Sequence, residues 1–171
     1  MNPRTIAIHP GSRQTIYLIT LFVITLTGFA QMPIFKRYYI ADIPGLGWLD
    51  EFYVTHYLHY LAAAVLLAIV FDGVAGYLLM FRKHYRITVS GRIRGVLLFG
   101  LVLTGALMVV KNFSGYWFSQ QAIIAMDILH IALTVFYLSA ALWALVSGKK
   151  WIENPAAVHD MKPLIRSDQG P

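Results

Sequence analysis

Four long apolar runs dominate the sequence and limit what it can fold into. The runs cover residues at about 14–32, 52–81, 94–111 and 122–146. A helix needs about 20 predominantly apolar residues to cross the hydrocarbon core of a bilayer. The chain is 58% hydrophobic and only 13% charged, whereas a soluble domain has roughly 25% charged residues. We therefore predict an all-α membrane protein, with a four-transmembrane-helix up-down bundle over residues 1–147 and a polar tail over 148–171.

The Lys and Arg residues divide unevenly between the two ends of the predicted helices. Eleven of the 14 lie in residues 1–13, 82–94 and 148–171, and the other three are Lys36, Arg37 and Lys111. Because loops rich in Lys and Arg stay in the cytoplasm, we predict that both termini are cytoplasmic. The second and fourth helices then run inward. The net charge of +6 follows from this loop bias and does not indicate nucleic-acid binding. The expected location is the bacterial cytoplasmic membrane.

Two histidines lie inside the inward-running helices at matching depth. His59 is about six residues into the second helix, and His130 is about eight residues into the fourth. At about 1.5 Å per residue, both lie roughly 9–12 Å below the outer end. We expect them to face each other and to ligate one b-type haem, since four-helix bundles bind cofactors between facing helices. The chain has no cysteine, which excludes iron–sulfur ligation, c-type haem attachment and thiol catalysis for this chain.

A tripeptide repeats near the outer ends of the other two helices. Leu26-Thr27-Gly28 and Leu103-Thr104-Gly105 precede the two histidines, with 31 residues from Gly28 to His59 and 25 from Gly105 to His130. Glycine lacks a side chain, so Gly28 and Gly105 are expected to let the backbone approach the flat macrocycle. The structural alternative is that each histidine hydrogen-bonds across helices and each glycine packs. The cost of burying ionisable residues in a membrane favours a functional role.

Several other polar residues have more than one possible role. His56, one turn outward of His59, could replace it as ligand, lie over the haem propionates or belong to a quinone site. Asp127 could orient His56 or another polar group near the haem, or be an interface carboxylate. Asp72 could serve a proton path or a quinone site, or hydrogen-bond to a neighbouring helix. The histidines in polar segments are expected to be ordinary surface residues: His9, His84 and His159.

Four segments of the chain together resemble a known family. They are Arg13-Gln-Thr-Ile-Tyr-Leu-Ile-Thr-Leu-Phe-Val-Ile-Thr-Leu-Thr-Gly28, Leu58-His59-Tyr-Leu-Ala-Ala63, Gly95-Val-Leu-Leu-Phe-Gly-Leu-Val-Leu-Thr-Gly105 and Leu129-His130-Ile-Ala132. Over residues 13–147 the chain is similar to the four-helix cytochrome b subunits of formate dehydrogenases, Ni–Fe hydrogenases and thiosulfate reductases, the bacterial cytochrome b561-like superfamily. The resemblance favours His59 over His56 as the ligand, because His-x-x-Ala-Ala also occurs in the family.

The resemblance implies two haems, but this chain departs from that pattern. The family's outer haem is ligated from the second and fourth helices. Its inner haem is ligated from the start of the first helix and further along the fourth. Residues 14–18 and 131–146 contain no histidine here, so both expected ligands of the inner haem are absent. We therefore expect a single outer-side haem, and two haems are the less favoured outcome.

Two functions of different classes follow from these observations. The first is a membrane cytochrome b subunit that passes electrons between a partner redox subunit and the quinone pool, without being the catalytic subunit. Its partners would be an iron–sulfur or cytochrome electron-transfer subunit and a catalytic subunit, docked on the outer loops 33–52 and 112–121. The alternative is a non-redox membrane anchor or assembly subunit of a respiratory complex with structural histidines. In either case the tail 148–171 is expected to be extended and available to a partner.

Overall fold

The computed structural model describes residues 10–32 and 34–155. It is 76% helical, and within the described residues four helices are long and apolar enough to cross a membrane. The prediction of an all-α, four-helix membrane protein is therefore confirmed. His9 and His159, predicted to be surface residues, lie outside the described residues.

The helices follow the apolar runs closely. Helix α1 covers Pro10–Ala30, α2 Ile34–Arg37, α3 Phe52–Gly76, α4 Val89–Val110 and α5 Gln120–Val146. Two 3-10 turns, at Ile40–Asp42 and Gly47–Leu49, precede α3, and a π-helix at Tyr77–Phe81 follows α3. Two short antiparallel strands, β1 (Arg86–Ile87) and β2 (Ile152–Glu153), pair with Arg86 opposite Glu153. The outer loop 33–52 thus contains the short helix α2 and two 3-10 turns.

Two helices begin earlier than their apolar runs. Helix α1 starts at Pro10 rather than near residue 14, which is compatible with proline because the first helical turn needs no N–H donor. Helix α4 starts at Val89 rather than near residue 94. Thr88 caps it, since its hydroxyl accepts a hydrogen bond from the Gly91 N–H at 2.9 Å, as threonine often does at this position. Residues 90–94, at the end of the basic segment 82–94, are therefore helical.

The chain divides into two compact units, Met1–Gly76 and Tyr77–Pro171. In the first unit α1 packs against α3. His56 meets Gln31 at one end of this pair, and Arg13 forms an ion pair with Asp72 at the other. The two helices are therefore antiparallel.

In the second unit α4 packs against α5. Gly100 gives room to a leucine of α5, because a Cβ at Gly100 would come within 3.1 Å of Leu133 Cδ1. The start of the tail packs on the start of α4. Arg94 donates to the Lys149 carbonyl at 3.3 Å, and its guanidinium lies 4.2 Å from the centre of the Trp151 ring. The first tail residues are thus held by α4, and the rest of the tail, from residue 156, lies outside the described residues.

Few side chains are buried within the described residues, and large apolar side chains cover the surface. Phe22, Phe71 and Phe99 are 66%, 76% and 69% exposed. A soluble protein rarely exposes such extensive apolar surface, whereas lipid tails are as apolar as these side chains. The surface therefore suits a bilayer.

Candidate functional site

His59 of α3 lies against the Thr27–Gly28 segment of α1. Its Nδ1 is 3.0 Å from the carbonyl oxygen of Ile24 and 3.3 Å from Oγ1 of Thr27. A carbonyl oxygen can only accept a hydrogen bond, so the contact with Ile24 requires a proton on Nδ1. In a neutral imidazole this leaves the lone pair on Nε2, which is then the nitrogen able to bind a metal.

His130 of α5 lies against the Thr104–Gly105 segment of α4 in the same way. Its Nδ1 is 2.7 Å from Oγ1 of Thr104. The Thr104 hydroxyl donates its own proton to the Gly100 carbonyl at 2.9 Å. With its proton donated in this way, the oxygen of Thr104 accepts from Nδ1–H of His130, and Nε2 then carries the lone pair as it does in His59.

The glycine of each tripeptide makes room for the imidazole. A Cβ at Gly28 would lie 3.1 Å from Cε1 of His59, and one at Gly105 would lie 3.6 Å from Cε1 of His130. Each Thr-Gly pair with its histidine forms what we call a histidine seat: Thr27, Gly28 and His59 in the first unit, and Thr104, Gly105 and His130 in the second. In both seats the glycine contacts the histidine ring of its own unit. Its approach to a macrocycle stays a prediction.

The two threonines are the residues that the sequence analysis missed. Both threonines belong to the repeated tripeptide, but no role was predicted for them. Thr27 is 0% exposed and Thr104 is 4% exposed. The signal was present in the sequence, because a histidine inside a membrane helix needs an acceptor for its ring N–H, and both tripeptides place a hydroxyl beside a small residue.

His56 is held by other partners. Its Nδ1 is 3.0 Å from Oε1 of Gln31, and its ring lies between those of Phe52 and Tyr60, with centroids 5.2 and 4.3 Å away. The Gln31 amide nitrogen donates to the Thr27 carbonyl at 3.3 Å. Gln31 therefore connects His56 to the first histidine seat.

The two carboxylates predicted to lie inside the membrane are each paired with a cation of their own unit. Asp72 pairs with Arg13. Asp127 lies 3.4 Å from the ammonium group of Lys111. An unpaired charge at such positions would be costly, so each ion pair gives its carboxylate a structural role.

The described part of the chain contains no group of three or more His, Asp or Glu side chains that could hold a metal ion. Each histidine seat instead offers a single imidazole, and imidazole is a donor that haem iron takes as a ligand while the porphyrin supplies the others.

No protein-family model, no curated protein and no solved structure matches the chain. The resemblance to cytochrome b subunits therefore stays a prediction from the motifs. The two histidine seats are the features of the chain that bear on its function.

Proposed function

We propose that the chain is a membrane cytochrome b subunit in which His59 and His130 ligate one outer-side b-type haem through Nε2. The observation that supports this most is that both histidines bind a neighbouring helix through Nδ1. Histidines that ligate metals almost always donate their other ring N–H to a protein or water acceptor, which fixes the tautomer and the ring orientation. The same seat occurs once in each unit, so each unit supplies one imidazole.

When bound, the haem supplies one-electron redox chemistry, and the protein contributes ligation, orientation and burial. The two buried threonines hold the imidazoles. Electrons would pass between a partner redox subunit and the quinone pool. The partner is an iron–sulfur or cytochrome subunit of a complex that contains its own catalytic subunit, in the bacterial cytoplasmic membrane.

One observation favours the alternative of a non-redox anchor or assembly subunit. The bonds to Thr27 and Thr104 give each half-buried histidine a hydrogen-bond partner without any cofactor. Interhelical bonds of this kind stabilise membrane helix pairs by themselves. The histidines would then be structural.

The absorption spectrum of the purified, reduced protein separates the two functions. We expect the α band of a low-spin haem b in the wild type and in His84→Ala, a control at an exposed histidine. We expect His59→Ala and His130→Ala to lose that band, because each removes one of the two residues that would hold the haem. Absence of haem from protein made with haem available supports the anchor function. Full low-spin haem in either seat variant contradicts the ligand assignment.

A further inference from the structure

We infer that Thr27 and Thr104 are positioning residues that fix the tautomer of the two imidazoles and set the reduction potential of the haem. This inference rests on the proposed function. It goes beyond that function because it assigns the electronic tuning of the site to two hydroxyl groups that do not touch the haem iron.

The hydroxyl of each threonine has a carbonyl acceptor in its own helix. Thr27 Oγ1 lies 2.7 Å from the carbonyl oxygen of Val23, and Thr104 Oγ1 lies 2.9 Å from that of Gly100. A hydroxyl has one proton, and a carbonyl oxygen can only accept. In this inference, each threonine donates its proton within its own helix, so that its oxygen accepts from Nδ1–H of the histidine.

This bond changes the strength of the ligand. An acceptor at Nδ1–H raises the basicity of the imidazole and hence of Nε2. A stronger donor stabilises ferric iron more than ferrous iron, so it lowers the reduction potential. Both threonines are buried, so water cannot replace the missing hydroxyl in a variant.

The two seats differ in how much they depend on the hydroxyl. Nδ1 of His59 has a second acceptor, the Ile24 carbonyl, at 3.0 Å. Among the hydrogen bonds of the described residues, Nδ1 of His130 meets only Thr104, at 2.7 Å. Loss of the Thr104 hydroxyl therefore leaves an unsatisfied N–H, whereas loss of the Thr27 hydroxyl leaves the Ile24 bond in place.

The test is a redox titration of the haem-loaded full chain with valine, which keeps the shape of threonine but removes its hydroxyl. Removing an outer partner of a metal ligand typically weakens metal binding about 10–100-fold. We expect Thr104→Val to weaken ferric relative to ferrous binding about tenfold, which raises the midpoint potential by about 59 mV for one electron. We expect a smaller rise for Thr27→Val and wild-type values for Thr27→Ser and Thr104→Ser.

Thr55→Val is the matched control. Thr55 is also fully buried, and its hydroxyl bonds to backbone carbonyls of Glu51 and Phe52 at 3.2 and 3.0 Å. This variant should keep the wild-type potential. A second readout is the exchange of the histidine Nδ1–H protons in the diamagnetic ferrous protein, measured by NMR. Exchange should be faster for His130 in Thr104→Val and unchanged in Thr55→Val.

The outcomes separate this inference from the proposed function. A wild-type protein without haem overturns both. A wild-type protein with haem, in which Thr27→Val and Thr104→Val match Thr55→Val in potential and proton exchange, overturns the inference alone. An equal or larger effect of Thr27→Val would contradict the dependence of His130 on a single acceptor.

Discussion

The glycines of the two histidine seats have the same role, but they differ in whether an added Cβ would fit. A Cβ added at Gly28 would meet Cε1 of His59 at 3.1 Å, whereas one at Gly105 would meet Cε1 of His130 at 3.6 Å. The first distance is shorter than an ordinary carbon–carbon contact of about 3.5–4.0 Å, and the second lies within that range. The imidazole of His59 would therefore have to move, and that of His130 would not.

We predict that Gly28→Ala lowers the haem content of the purified protein several-fold, because ligation requires a fixed ring orientation. Gly105→Ala should retain haem at close to the wild-type level. The haem-to-protein ratio of both variants measures this difference. Equal retention in the two variants would show that the close contact at Gly28 does not orient His59.

His56 and His59 are one turn apart but have separate roles in the structure. The aromatic rings on either side of His56 and the Gln31 amide hold His56, whereas Thr27 and Ile24 hold His59. We predict that His56→Gln keeps low-spin haem, while His59→Gln loses it, in spectra of the reduced proteins. Loss of low-spin haem in His56→Gln with retention in His59→Gln would reverse the assignment.

At the scale of elements, the start of α4 and the first tail residues stabilise each other. The Thr88 hydroxyl donates to the Lys150 carbonyl at 2.7 Å, and Arg94 lies over Trp151. Gly91 permits this packing, because a Cβ there would collide with the carbonyl oxygen of Trp151. The strand pair β1–β2 extends the contact.

We predict that Gly91→Ala releases the tail from α4 and destabilises the second unit by about 1–3 kcal/mol, as overpacking typically does. Gly95→Ala is the matched control, since nothing lies within 4 Å of a Cβ at that position. Trypsin should cleave after Lys149 and Lys150 faster in Gly91→Ala than in the wild type. Equal cleavage rates in Gly91→Ala and Gly95→Ala would contradict the steric argument.

The elements also show what could be predicted from the sequence. The starts of α3 and α5 were predicted within two residues, because a bilayer requires long apolar helices and both begin with an apolar run. The start of α4 was missed by five residues, because it depends on the Thr88 cap and on a tail about sixty residues later. The histidines of the seats were predicted from their matching depth in the membrane helices, and the glycines from the repeated Leu-Thr-Gly tripeptide. The threonine roles were not, because a hydroxyl bond depends on how two helices pair.

At the scale of the whole molecule, the distribution of Lys and Arg predicts the orientation in the membrane. The chain has no cysteine, so single introduced cysteines report sidedness without a background. We predict that Ser114→Cys, in the turn between α4 and α5, reacts with a membrane-impermeant maleimide in intact spheroplasts. His84→Cys, in the segment between α3 and α4, should react only after permeabilisation. The reverse pattern would place the termini outside.

The central claim is that one haem is held by one imidazole from each unit. Its most direct test is the molar ratio of haem b to protein in purified chain made with haem available. The predicted result is one haem per chain in the wild type and almost none in His59→Ala and His130→Ala. A ratio of two in the wild type, or no haem at all, would contradict the claim.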